Sequence, residues 1–75
     1  MAKIEVYGSK HCQYTAELLE ELEWQGKDVH YYDVDDNPQA LQQMMSLTQN
    51  QRNVPVLVED GRVTSIGYQG RSCIV

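Results

Sequence analysis

The sequence predicts a small α/β domain of order β-α-β-α-β-β, a mixed four-stranded sheet covered by helices. Three observations lead there. Segments of alternating or β-branched apolar residues are separated by two stretches whose apolar positions repeat at helical spacing. The last two β-rich runs are joined by Asp60-Gly61, a turn that suits a tight hairpin. At 75 residues and with 41% apolar composition, the chain has material for one hydrophobic core and no more.

Each element has its own signal. Ala2 to Tyr7 alternates Lys3 and Glu5 with Ile4 and Val6 and runs into Gly8-Ser9, a strand leading to a loop. From Thr15 to Gln25 the apolar face is Thr15, Leu18, Leu19 and Leu22, with Glu17, Glu20, Glu21 and Glu23 outside, and Gly26 stops the helix. Lys27 to Val34 is rich in β-formers and gives a second strand. Asn37-Pro38 starts a second helix, with Asn as cap and Pro in the first turn, and Leu41, Met44, Met45 and Thr48 form its inner stripe. Val54 to Glu59 and Arg62 to Ile66 are the third and fourth strands. A strand, a helix and another strand imply a right-handed crossover, so the first two strands run parallel, whereas the hairpin makes the last two antiparallel. This is the thioredoxin-like arrangement, over a single domain spanning residues 1–75.

Composition narrows the function. Eleven acidic residues against six basic ones give a net charge of −5, which argues against a nucleic-acid binder. The acids are concentrated in residues 1–38, which hold nine of them and three lysines, a bias that a solvated helix face explains. The longest clean apolar run, Val54 to Val58, is far shorter than a spanning helix needs, and Met1 to Glu5 has no signal-peptide core. Two cysteines are too few for a disulfide scaffold and lack metal-type spacing. The expectation is a cytoplasmic monomer without nucleic-acid or membrane partners.

The chemistry centres on Cys12, between the first strand and the first helix. Unpaired N–H groups and the positive end of the helix dipole stabilise an anion there and lower a thiol's pKa. Thr15 lies three residues on, where its hydroxyl is able to donate to a thiolate, and Lys10 and His11 are the nearest cations. The expectation is a reactive, partly exposed sulfur; the plain alternative is a small buried core residue. Pro55 likewise has two readings. One is the start of an edge strand. The other is a cis-proline whose neighbour, Val54, offers its backbone to a peptide-like substrate in β-fashion. Arg52, just before this element, is the candidate cation for a substrate carboxylate, and Tyr14 a candidate lining of the groove. Tyr7, His30, Met44 and Met45 read as strand or core residues, and Trp24 as packed on the helix flank.

The segments Val6 to Thr15, Asn53-Val54-Pro55 and Ile66-Gly67-Tyr68 occur in the order and spacing of a glutaredoxin. The chain resembles that family from Ala2 to about Gly70, most of all the short members with a Cys-x-x-Thr site (the Uxx-star type), some of which carry selenocysteine at the first position. The resemblance implies a cis-Pro55 and a nucleophilic Cys12. It also implies glutathione bound through the backbone of Val54 and the turn after strand four. Asn53-Val54-Pro55 stands where glutaredoxins usually read Thr-Val-Pro, and Gly67 matches the first glycine of their Gly-Gly turn. Thr15 replaces the usual resolving cysteine, Gln13 the common proline and Tyr68 the second glycine. Tyr68-Gln69 is similar to the redoxins that serve ribonucleotide reductase. The sequence ends where the family's final helix would begin.

Cys73 is either a small residue in a mobile tail or a resolving thiol that folds back toward Cys12. The expected activity is that of a monothiol oxidoreductase. Cys12 attacks mixed or small disulfides of protein or small-molecule partners, and glutathione or Cys73 releases the adduct. Two alternatives stand beside it: an iron–sulfur carrier holding a cluster between two protomers through Cys12 and glutathione, and a redox-inactive adaptor of the same fold.

Overall fold

A computed structural model describes residues 3–75, so Ala2, placed by the sequence in the first strand, lies outside the described residues. The elements are β1 (Ile4–Gly8), α1 (Gln13–Trp24), β2 (Val29–Asp33), α2 (Pro38–Thr48), β3 (Asn53–Val54), β4 (Val56–Glu59), β5 (Arg62–Ile66) and β6 (Cys73–Ile74). The main sheet has the order β2-β1-β4-β5. β1 and β2 are parallel, as the crossover argument requires, and β4 is antiparallel to both β1 and β5. This is the mixed four-stranded sheet with two helices expected of a thioredoxin-like fold.

β1 is central and buried along its whole length, and its alternation feeds two cores. Ile4 and Val6 meet Leu18 and Leu22 of α1. On the other face Tyr7 joins Val56, Val58, Val34 and, from α2, Ala40 and Met44. The α2 cap forms as the sequence predicts: the Asn37 side chain accepts the N–H groups of Gln39 and Ala40, with Pro38 in the first turn. At the hairpin Asp60 and Gly61 both take positive φ (54° and 82°), the backbone of a primed turn.

Three expectations change. α1 starts at Gln13, two residues before the first apolar position of its stripe, because polar residues in the first turn carry no periodic signal. The stretch Val54 to Glu59 is two strands, since Pro55 separates β3, which leaves the main sheet, from β4. Trp24 is 84% exposed and does not pack on the helix flank, since it lies off the Thr15-Leu18-Leu22 face that reaches the core. The remaining shifts are small: β1 gains Gly8, and β2 is shorter at both ends than Lys27 to Val34.

Candidate active site

Because β1 and β2 are parallel, the loops that leave them lie on one rim of the sheet. Ser9 to Cys12 leaves β1 there, and Val34 to Asp36 leaves β2 beside it. The two loops are tied together. Val34 N–H donates to the Gly8 carbonyl at 2.9 Å, the Ser9 hydroxyl donates to the Asp35 carboxylate, and Lys10 Nζ meets Asp36 Oδ2 at 2.9 Å. That hydrogen bond, and the Asp36 charge behind it, raises the Lys10 pKa. Lys10 is thus held by Asp36, and His11 is exposed, its N–H bonded to Ser9 Oγ at 3.1 Å.

Cys12 is the N-cap residue of α1, with extended backbone (φ −100°, ψ 114°), and its carbonyl accepts the N–H groups of Thr15 and Ala16. Its side chain therefore leaves the chain at the positive end of a twelve-residue helix. Thr15 does not reach the sulfur in a hydrogen bond. Its hydroxyl accepts the Ser9 N–H at 3.4 Å, and its side chain lies against Gly8. Burial at 1% exposure makes Thr15 a brace between α1 and β1.

Cys12 is not partly exposed, as the sequence suggested, but 2% exposed, because it is disulfide-bonded to Cys73. The two Cα atoms are 6.0 Å apart across 61 positions of sequence. The route of the tail explains the meeting. Gly67 N–H donates to the Pro55 carbonyl at 2.6 Å, and its φ of 89° with the Arg71 carbonyl 2.7 Å from any added Cβ leaves room for glycine alone. Tyr68 and Arg71 then exchange backbone hydrogen bonds across Gln69 and Gly70, both at positive φ, and the chain reverses. It returns as β6, antiparallel to β3, pairing Val54 with Cys73 and Asn53 with Ile74.

The Val54-Pro55 bond is cis, and Pro55 does not start an edge strand, since β4 lies inside the main sheet between β1 and β5. Val54 is fully buried, and its carbonyl oxygen lies 4.0 Å from Cys12 Sγ. Asn53 Nδ2 donates to Ser72 Oγ at 3.0 Å. Arg52, read from sequence as a cation for a substrate, holds the tail instead: its carbonyl accepts the Val75 N–H at 3.0 Å and its Nε donates to the Val75 oxygen. Tyr14 packs against the cluster that contains the disulfide, and the Arg71 guanidinium stands 6.0 Å from its ring centre. The structure therefore brings together Cys12, Cys73, Tyr14, Arg52, Asn53, Val54, Pro55 and Gly67. Tyr68 packs instead against the cluster of Ile4, Val6, Leu18 and Leu22, and Lys10 and His11 precede Cys12 on its own loop, Lys10 held by Asp36 and His11 exposed.

Sequence reading missed Ser9, Asp35 and Asp36 as the braces of the cysteine loop, and Ser72 and Arg71 as anchors of the tail. The acidic run Asp33-Val34-Asp35-Asp36 opposite Ser9-Lys10 was the available signal for the first group. Nothing of comparable strength marked the second.

Among the described residues no helix is long and apolar enough to cross a membrane. A comparison with curated proteins finds no match. The glutaredoxin family model matches residues 4–64, which include the cysteine loop, the cis-proline element and the hairpin and stop short of the tail that carries Cys73. Membership suggests thiol–disulfide oxidoreductase chemistry. With a match over most of its length and the sheet, helices and proline just described, the chain belongs to the glutaredoxin family.

Proposed function

We propose that the protein is a two-cysteine thiol–disulfide oxidoreductase in which Cys12 is the nucleophile and Cys73 the resolving thiol. The observation that carries this reading is the Cys12–Cys73 disulfide at the N-terminus of α1, beside Val54. In the reduced protein the Cys12 thiolate faces the helix dipole and the N–H groups of the first turn, which have no intrahelical partners. It attacks one sulfur of a disulfide and forms a mixed disulfide, and the departing thiolate takes a proton from solvent. Cys73 then loses its proton, attacks Cys12 Sγ and expels the second thiolate, leaving the protein oxidised. Two thiols of a donor return the two electrons. Glutathione fits this cycle as a donor, or as a competing resolving thiol.

Cys→Ser variants separate these roles. Reduction of a small disulfide by an external dithiol is expected to be abolished by Cys12→Ser. Cys73→Ser is expected to accumulate a Cys12 adduct visible by mass spectrometry, with turnover restored only by added glutathione. Undiminished activity in Cys12→Ser refutes the reading. Full activity of Cys73→Ser with the dithiol alone refutes the role of Cys73.

A further inference from the structure

The outer face of α1 is left uncovered by the fold. Glu17, Glu20, Glu21 and Trp24 fall at spacings of three and four, so they share one stripe of the helix, and all four are exposed. Trp24, the only tryptophan of the chain, is 84% exposed at the end of that stripe. These side chains line an open cleft of about 280 Å³ with Tyr68 and Gln69, from the turn after β5. Tyr68 is seated there on the cluster of Ile4, Leu18 and Leu22. A second cleft of about 490 Å³, lined by Leu19, Val29 and Tyr31, shares Glu23 with a hollow at Glu20 and Trp24, so the surface is continuous.

Folding does not explain this surface. Glu17–Glu20, Glu17–Glu21 and Glu20–Glu23 are like-charge neighbours at i,i+3 or i,i+4, which repel. Glu21 and Glu23 stand in the last turn, at the negative end of the helix dipole, where cations are favoured and none is present. Glu21 accepts a hydrogen bond from Gln25, and among the described residues no lysine or arginine pairs with any of the four glutamates. A solvated face needs charge, but it needs neither a tryptophan in the open nor acids without interleaved lysines.

We propose that this face is a docking surface for a basic protein segment, which sets an arginine against Trp24 and further cations among Glu17, Glu20 and Glu21. Charge complementarity selects the partner. Cations arriving here relieve the like-charge repulsions and complete the dipole end, and the aromatic face attracts a guanidinium. Arginine suits the site better than lysine, since its planar group stacks on a ring while pairing with a carboxylate through two N–H groups. The stripe from Glu17 to Trp24 runs about 10 Å along the helix, which takes several cations in a row. Docking uses none of the chemistry of Cys12, so it is independent of the redox reading.

Trp24 is its own reporter. The oxidised wild-type protein is titrated at low ionic strength with acetyl-hexa-arginine amide, acetyl-hexa-lysine amide and spermine, and tryptophan emission is followed. Hexa-arginine is expected to shift the emission saturably, with an affinity about threefold or more above that of hexa-lysine and of spermine. By calorimetry, Trp24→Ala is expected to weaken hexa-arginine binding about fivefold, and Glu20→Gln about threefold. Both side chains are exposed, so circular dichroism should show the fold unchanged. Asp36→Asn, which removes one exposed carboxylate elsewhere on the molecule, is expected to weaken binding less than Glu20→Gln. An unmoved Trp24 emission overturns the proposal. Equal losses in Glu20→Gln and Asp36→Asn overturn it as well, because net charge alone would then govern binding. So does equal affinity for hexa-arginine and spermine, which would make the occupant a small polyamine. A dimer in sedimentation that Trp24→Ala disrupts would give the face to a second copy and overturn it too.

Discussion

A Cβ added to Gly8 would lie 2.3 Å from Thr15 Cγ2 and 2.7 Å from its Oγ1, closer than real atoms approach. Thr15 is buried in α1 and bonded to the Ser9 N–H, so it has no direction in which to give. Gly8→Ala is therefore expected to destabilise the protein by about 1–3 kcal/mol through overpacking. Gly8→Ala combined with Thr15→Ala should cost less than the two single changes together, because the obstacle is gone. Urea unfolding of the four proteins measures this, and strictly additive costs would show that Thr15 is not what excludes the Cβ. The nucleophile's loop is thus set by steric fit as much as by the helix end. A second residue-scale effect concerns Tyr31, whose pKa is pushed up to about 12, first by burial and then by Asp33, Asp35 and Asp36. An unfolded tyrosine ionises near ~10. Between those values the unfolded chain has lost a proton that the folded chain keeps, so stability present below pH ~10 falls as pH rises toward 12. The residue is 37% exposed, which keeps this contribution small. In an ultraviolet titration Tyr31→Phe should remove a phenolate step well above the ordinary tyrosine value, and loss of an ordinary step near pH ~10 would contradict the assignment.

Among the elements, those that carry a local signal were legible. α2 is the clearest case, because Asn37 and Pro38 act within their own turn and the stripe Leu41, Met44, Met45 and Thr48 repeats at helical spacing, although Ala40 and not Leu41 is the buried residue at its start. Asn37→Ala removes the acceptor for two N–H groups and is expected to cost about 1 kcal/mol, read as a lowered urea midpoint with unchanged slope. An unchanged midpoint would mean that water replaces the cap without loss. Cys12 was legible for a similar reason, since the β1–α1 junction is marked on both sides. The elements that complete the site were not. β3 and β6 are two residues each, too short for any periodicity, and they exist because each pairs with the other across the hairpin and turn between them. The turn that makes this pairing possible puts Gln69 at positive φ, where Asn or Asp is the usual marker, so only Gly70 signals the reversal and the sequence leaves the fold-back of Cys73 as one of two readings. The exposure of the Cys12 sulfur was misjudged for the same reason: it depends on where the tail goes.

For the molecule as a whole, the same bond ties redox state to stability. A chain of this size has a core that by itself supplies only a few kcal/mol. Its sheet is covered by two helices, and the segment after β5 is fixed by short strands and by the disulfide. The bond closes a loop across 61 positions. Restricting the unfolded chain over that length stabilises the fold by about 4 kcal/mol in the chain-entropy model, a value that residual denatured-state structure reduces. For a domain this small each kcal/mol moves the melting temperature by about 4–8 °C. Reduction, or Cys73→Ser, is therefore expected to lower the melting temperature by ten degrees or more. The double variant Cys12→Ser and Cys73→Ser should melt with the reduced protein. Because the bond spans β1–α1 and the last strand, the loss should appear as one cooperative transition shifted down, measured by circular dichroism at matched concentration. A reduced protein that melts with the oxidised one would mean that the bond adds nothing to the stability of the fold and that the hydrogen bonds from β6 to β3 and Arg52 hold the tail by themselves.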